Sequence, residues 1–177
     1  MIHYEVEDSP FYKANKNYCL QIENRLKELN IVADGFCNSF GYEIKADFER
    51  KGITYKLEVL KTQSTRNGVI WPENAKDYAG LRINIGGLNK KHRLHIGRNS
   101  VKRFFITSQF RKVIPSPYFV SANMNSNEVE QIIKEITTND INDLNINNGN
   151  LHLKIHKATN SPVDILLSLE RLINTWP

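Results

Sequence analysis

The stretch that decides the fold is residues 144–155, which read LNINNGNLHLKI. Apolar and polar residues alternate on both sides of Asn148 and Gly149, a pattern typical of two strands that each bury one face. Asn-Gly is the pair that a two-residue type I′ turn prefers, because both positions need a positive φ. The register of this turn pairs the apolar residues across the hairpin, Ile146 with Leu151 and Leu144 with Leu153.

A second hairpin is predicted earlier in the chain, where residues 42–49 alternate between apolar and charged side chains. A second alternating run follows at residues 55–59. Between the two runs lie Arg50, Lys51 and Gly52, which predict a three-residue loop with a bulge because glycine supplies the positive φ that such a loop requires. Residues 62–77 are mixed in character and predict a long loop.

A third hairpin is predicted around the basic loop 86–91. Residues 81–85 alternate on one side of this loop and residues 94–96 on the other, so we expect the two segments to pair as neighbours. Further on, Pro115 and Pro117 interrupt the chain, and a strand begins at Tyr118.

Three helices are predicted from capping residues followed by apolar residues at three- and four-residue steps. They begin at Ser9-Pro10, at Asn125 with Glu128 as its capping-box partner, and at Ser161-Pro162. A short helix is also expected at residues 101–106, capped by Asn99 or Ser100.

The order of these elements predicts an α+β fold, with antiparallel hairpins packed against about three amphipathic helices. Adjacent strands are expected to be hairpin partners, which distinguishes this layout from one built of parallel crossovers. We expect residues 1–177 to form a single domain, with a soft subdivision near residues 113–117.

The composition is that of a folded chain. Its 177 residues are 40% hydrophobic and 24% charged, values that exclude a disordered, collagen-like or disulfide-rich protein. Apolar runs fall far short of the ~20 residues that a membrane-spanning helix needs, and a signal peptide is not evident. We therefore expect a cytoplasmic protein whose two cysteines, Cys19 and Cys37, are small buried residues.

Charge is distributed unevenly along the chain. Residues 78–127 contain nine Lys or Arg and no Asp or Glu, within a protein of formal net charge +5. Such asymmetry indicates an anionic partner, and the interleaved Phe and Tyr favour nucleic acid, whose phosphates attract cations and whose bases stack on rings. The alternative is that the rings belong to the core and the cations to a solvated face. The candidate polyanion-binding residues are Lys90, Lys91, Arg93, Arg98, Ser100, Lys102, Arg103, Arg111 and Lys112.

Histidine spacing does not predict a metal site. His92 and His95 are three apart on a predicted strand and therefore point to opposite faces, whereas His152 and His156 share a face but lie ~13 Å apart at ~3.3 Å per residue. Neither pair can hold one ion, so isolated surface histidines are expected.

A carboxylate-metal nuclease site is the remaining catalytic possibility. Asp47, Lys56 and Glu58 could share the polar face of their hairpin, where carboxylates bind Mg²⁺ and orient a water. The run from Glu58 to Lys61 is one residue too long for a Glu-x-Lys pattern on one face, and interleaved Glu and Lys is ordinary cross-strand pairing.

The sequence therefore predicts a non-enzymatic domain that binds a polyanion, with nucleic acid preferred, through residues 78–127. Two alternatives stay open: a protein-interaction module, such as an inhibitor or accessory subunit that docks an acidic protein, and the metal-dependent nuclease. No cofactor is predicted, because neither a P-loop nor a dinucleotide-binding glycine pattern is present.

Overall fold

The fold is α+β, as predicted, and its strands form one large sheet, which the sequence did not predict. The computed structural model describes residues 1–5, 8–62, 78–98, 114, 118–124, 126–136, 140–157 and 160–174. Within these residues the helices are α1 (Pro10–Glu28), α2 (Ser126–Ile136) and α3 (Pro162–Asn174). The strands are β1 (Ile2–Tyr4), β2 (Asp34–Asn38), β3 (Gly41–Arg50), β4 (Ile53–Thr62), β5 (Tyr78–Gly86), β6 (Leu94–Arg98), β7 (Tyr118–Ala122), β8 (Asp140–Asn147) and β9 (Asn150–Lys157).

The sheet has the strand order β1-β2-β3-β4-β5-β9-β8-β6-β7. The pairing of β1 with β2 is parallel, and the other neighbouring pairs are antiparallel. The sequence did not predict β1 or β2, because both are short and neither shows a sustained alternation.

Helix α1 begins where the capping residues predicted. The Ser9 side chain accepts a hydrogen bond from the Tyr12 backbone N–H at 3.2 Å, and Pro10 occupies the first turn, where its missing N–H costs nothing. Ile22 and Leu26 are buried on the side of the helix that contacts β2 and β3. The predicted helices near Asn125 and Ser161 are confirmed as α2 and α3.

The hairpin of β3 and β4 is confirmed, but its loop differs from the prediction. Arg50 pairs directly with Ile53, so the turn has two residues, and both Lys51 (φ 52°) and Gly52 (φ 75°) adopt a positive φ. The three-residue loop with a bulge was wrong because Lys51 takes a left-handed conformation that a lysine seldom adopts.

The hairpin of β8 and β9 is confirmed in both turn and register. Asn148 (φ 51°) and Gly149 (φ 78°) form the two-residue turn. The cross-strand partners are those expected, Ile146 with Leu151 and Leu144 with Leu153.

The predicted hairpin between residues 81–85 and 94–96 is wrong. Strand β5 pairs with β4 and β9, and β6 pairs with β7 and β8, so the whole β8–β9 hairpin lies between them. The connection from β5 to β6 instead passes the β8–β9 turn, where the Leu88 N–H donates to the Gly149 carbonyl oxygen at 2.9 Å. Strand alternation and a loop between two runs do not specify which strands become neighbours.

Apolar side chains of one sheet face form the core. A row of register partners there is almost fully buried, none more than 2% exposed: Ala46, Leu57, Ile83, Leu153, Leu144 and Ile96. Helix α3 contacts both α1 and α2. Arg50, at the end of β3, donates to the Glu170 carboxylate of α3 at 3.0 Å, which ties the β3–β4 hairpin to that helix.

The remaining expectations concern the strand at Tyr118, the two cysteines and several segments that the structure does not describe. The strand expected at Tyr118 is confirmed as β7, and Cys19 and Cys37 are both fully buried, as predicted. The short helix at 101–106, most of the loop at 62–77, and the prolines 115 and 117 lie outside the described residues. No helix in the described part of the chain is both long and apolar enough to cross a membrane.

Candidate nucleic-acid interface

The sheet face opposite the apolar row carries mainly polar side chains, most of them exposed or half-buried, and we call it the open face. Phe119 of β7, which is 7% exposed, is an apolar and buried exception on this face. Neighbouring strands lie about 4.8 Å apart, so register partners form continuous rows across this face. One row consists of Lys56, Asn84, His152, Asn145 and His95, and the next of Glu58, Arg82, Lys154 and Asp143.

Two cations lie directly opposite each other on the open face. Arg82 of β5 and Lys154 of β9 are register partners, and like charges in this position repel. Arg82 also donates to Glu58 at 3.0 Å. Lys154 is exposed, and its register partner on the other side is Asp143. No ion pair within 4.0 Å joins Lys154 to a described residue, so a bound anion would relieve the repulsion.

Three of the predicted binding residues, Lys90, Lys91 and Arg93, lie together on the connection from β5 to β6. All three are exposed. Asn123 holds this connection in place, because its Oδ1 accepts from the Arg93 N–H at 2.7 Å and its Nδ2 donates to the Lys91 carbonyl at 3.0 Å. The Lys90 side chain also lies near the β8–β9 turn, with its Cγ 3.4 Å from the Cβ position of Gly149. These cations are therefore at the turn end of β9.

Arg98 is not part of that group. Arg98 lies on β6, five residues beyond Arg93, which corresponds to about 16 Å along a strand. Because side chains alternate along a strand, Arg98 lies on the face opposite to that of His95. Its guanidinium donates to the Tyr118 hydroxyl at 2.9 Å and stacks over the Tyr118 ring, with 5.2 Å to the ring centroid. The other predicted binding residues lie outside the described residues, so their role stays a prediction: Ser100, Lys102, Arg103, Arg111 and Lys112.

His95 is held by two neighbours on the open face. Its Nε2 lies 2.8 Å from Oδ1 of Asp143. The Phe119 ring and the imidazole pack edge to face, with an interplanar angle of 82° and 4.9 Å between ring centroids. Gly97 permits this packing, because a Cβ there would lie 3.0 Å from the Phe119 ring.

His152 is held by Asn84, whose Oδ1 lies 2.6 Å from the imidazole Nδ1. His152 pairs with Asn145, and Asn145 pairs with His95, so the two imidazoles share a row and their Cα atoms are about 10 Å apart. The expectation of isolated surface histidines missed this arrangement. The hairpin register places Asn145 beside His152, but no local signal pairs β6 with β8.

The carboxylates considered for a nuclease site lie on the open face, as the alternation predicted. Asp47 is 3.7 Å from Lys56, and Glu58 pairs with Arg82. Among the described residues, no three or more His, Cys, Asp or Glu side chains are grouped so that they could hold a metal ion. The geometry therefore favours cross-strand ion pairs for these carboxylates.

On the open face one pKa shift is resolved among the described residues, that of Lys45, which its hydrogen bond with Glu43 raises. The other shifted groups include several on the opposite side of the sheet. Burial raises the pKa of the Cys19 thiol, and the neighbouring Cys37 raises it further. Burial likewise raises the pKa of Tyr42, and Tyr18 adds to the effect. These groups stay neutral in the core beneath α1, and they do not mark the open face as a site.

Comparison of the chain with protein-family models, with curated proteins and with solved structures found no match.

Proposed function

We propose that this protein binds single-stranded nucleic acid on the open face of its sheet. The observation that carries the proposal is the side-by-side placement of Arg82 and Lys154 on an exposed, polar sheet surface. A phosphate between them would replace repulsion with two charge-assisted hydrogen bonds.

Further cations extend this surface towards the β8–β9 turn. On β9, Lys154 lies four residues beyond Asn150, which corresponds to about 13 Å along the strand. The cations of the β5–β6 connection lie at the Asn150 end of β9. A strand of nucleic acid along β9 would pass both groups, so its phosphates could meet each in turn. We call the set the cationic track: Arg82, Lys154, Lys90, Lys91 and Arg93.

The side chains beside the cationic track suit unpaired bases. Asn84 and Asn145 offer amide donors and acceptors to base edges, and the rings of His95 and His152 offer surfaces for stacking. A wide sheet accommodates splayed bases, whereas reading a duplex requires an element that enters a groove. A single strand is therefore the ligand that this surface fits.

The test is fluorescence anisotropy with labelled single-stranded RNA and DNA over a series of salt concentrations. The double variant Arg82→Gln/Lys154→Gln should bind more weakly and should lower the slope of log K against log salt by about 1.4, at ~0.7 per lost phosphate contact. The matched control, Lys13→Gln/Arg171→Gln, removes the same charge from α1 and α3 and should bind like the native protein.

Two results would overturn the proposal. One is native protein that retains neither RNA nor DNA at low salt. The other is an equal loss of binding in the control variant, which would reduce the effect to net charge. A pull-down repeated after nuclease treatment distinguishes the alternative ligand, because an acidic protein partner would stay bound when nucleic acid is digested.

A further inference from the structure

The two imidazoles of the open face are each oriented by one hydrogen bond. A carboxylate accepts hydrogen bonds, so the contact with Asp143 places a proton on Nε2 of His95 and leaves Nδ1 of the neutral ring as an acceptor. The amide oxygen of Asn84 likewise holds Nδ1–H of His152 and leaves Nε2 for another partner. Each ring thus has a second nitrogen that takes no part in these hydrogen bonds.

The space between the two rings suits a phosphodiester. Asn145 lies between His95 and His152 in the same row, and its half-buried amide forms the floor. Lys154 is two residues from His152 on the same face and lies beside this gap. A phosphate over Asn145 would therefore have an imidazole on each side and an ammonium group near its oxygens.

We infer, on the basis of the proposed function, that the open face cleaves single-stranded RNA by metal-independent transesterification between His95 and His152. The 2′-oxygen of a ribose attacks the adjacent phosphorus, the bond from phosphorus to the 5′-oxygen breaks, and the products end in a 2′,3′-cyclic phosphate and a 5′-hydroxyl. Nδ1 of His95 accepts the 2′-hydroxyl proton as general base. Nε2 of protonated His152 donates a proton to the leaving 5′-oxygen.

The remaining residues support this exchange. Asp143 is a positioning residue, because it fixes the tautomer of His95 and stabilises the imidazolium that forms. Lys154 neutralises the charge that develops on the phosphoryl oxygens. After one turnover His95 carries the extra proton and His152 lacks one, and exchange with solvent restores both. The substrate class is RNA, since DNA has no 2′-hydroxyl.

The experiment incubates the 177-residue chain with a labelled, unstructured RNA of mixed sequence in excess EDTA and identifies the product ends by mass spectrometry. The native protein should release 2′,3′-cyclic phosphate ends, and RNA with 2′-O-methyl groups should stay intact. His95→Ala and His152→Ala should each reduce the rate by about 10²- to 10⁴-fold while RNA binding is retained. The matched control is His3→Ala, an exposed histidine on β1 at the opposite edge of the sheet, and its rate should equal that of the native protein.

The positioning role of Asp143 is tested by measuring kcat and KM for two substitutions. Asp143→Asn should lower kcat with little change in KM, because an amide can hold the ring but favours the wrong tautomer. Asp143→Glu should restore part of the lost kcat. A structural role alone would not predict this difference between the two variants.

The outcomes separate this inference from the proposed function. RNA that is bound but not cleaved would overturn the catalytic inference and leave nucleic-acid binding standing. Protein that neither binds nor cleaves RNA would overturn both. Cleavage that persists unchanged in the histidine variants, that needs added Mg²⁺, or that acts equally on DNA would also overturn the inference.

Discussion

The contact between the β8–β9 turn and the β5–β6 connection can be measured with two glycine substitutions. Gly149 and Gly52 occupy equivalent positions of two-residue turns, with φ of 78° and 75°. A Cβ on Gly149 would lie 2.7 Å from the Leu88 carbonyl oxygen and 3.4 Å from Cγ of Lys90. A Cβ on Gly52 would have no other group within 4 Å. The pair therefore separates backbone strain from the contact.

The expected magnitudes follow from these differences. A left-handed conformation costs an L-residue roughly 1–2 kcal/mol, and this cost applies to both substitutions. Gly149→Ala also displaces the Leu88 backbone, whose N–H donates to Gly149 at 2.9 Å, and a hydrogen bond of this kind contributes about 0.5–1.5 kcal/mol. We expect Gly52→Ala to lower the free energy of unfolding by ~1–2 kcal/mol and Gly149→Ala by ~1.5–3.5 kcal/mol.

The assay is urea unfolding followed by circular dichroism, with the free energy of unfolding obtained by linear extrapolation for the native protein and both variants. The quantity of interest is the difference between the two variants. Equal destabilisation, or a larger effect at Gly52, would refute the conclusion that the β8–β9 turn supports the connection carrying Lys90 and Lys91.

Three further predictions concern ion pairs and tyrosine. Arg50→Met should lower the free energy of unfolding, measured by urea unfolding, by about 1.5–3 kcal/mol, because Arg50 donates to Glu170, whose side chain is 17% exposed. Arg25→Met breaks two exposed ion pairs, with Glu28 and Asp164, and should leave the urea midpoint nearly unchanged. Glu58→Gln should tighten RNA binding in anisotropy measurements, because it removes the carboxylate that pairs with a track cation. Burial raises the pKa of Tyr42 in the folded protein. The neutral phenol therefore stabilises the fold below the unfolded-state pKa of about 10, and this stabilisation is lost as the pH rises above that value. Tyr42→Phe should reduce the fall of the urea midpoint between about pH 9 and 11.

Local patterns in the sequence determined the elements whose partners are close in the chain. The hairpin of β8 and β9 follows from the Asn148-Gly149 turn and the alternation around it, and helix α1 follows from the Ser9 cap and its apolar spacing. In both cases the stabilising contacts fall within a few residues, so a short window of sequence contains the information. The cysteines Cys19 and Cys37 were likewise predictable as buried residues.

The tertiary structure alone decided which strands became neighbours and which polar residues met. The β8–β9 hairpin inserts between β5 and β6, although the connection between those two strands is short enough for a hairpin. This insertion places His152 two strands from His95 and Lys154 opposite Arg82, although each pair is more than fifty residues apart in the chain. Pairing over such distances depends on the burial of a shared apolar face and on the entropy of closing long loops, and neither quantity can be read from a local pattern.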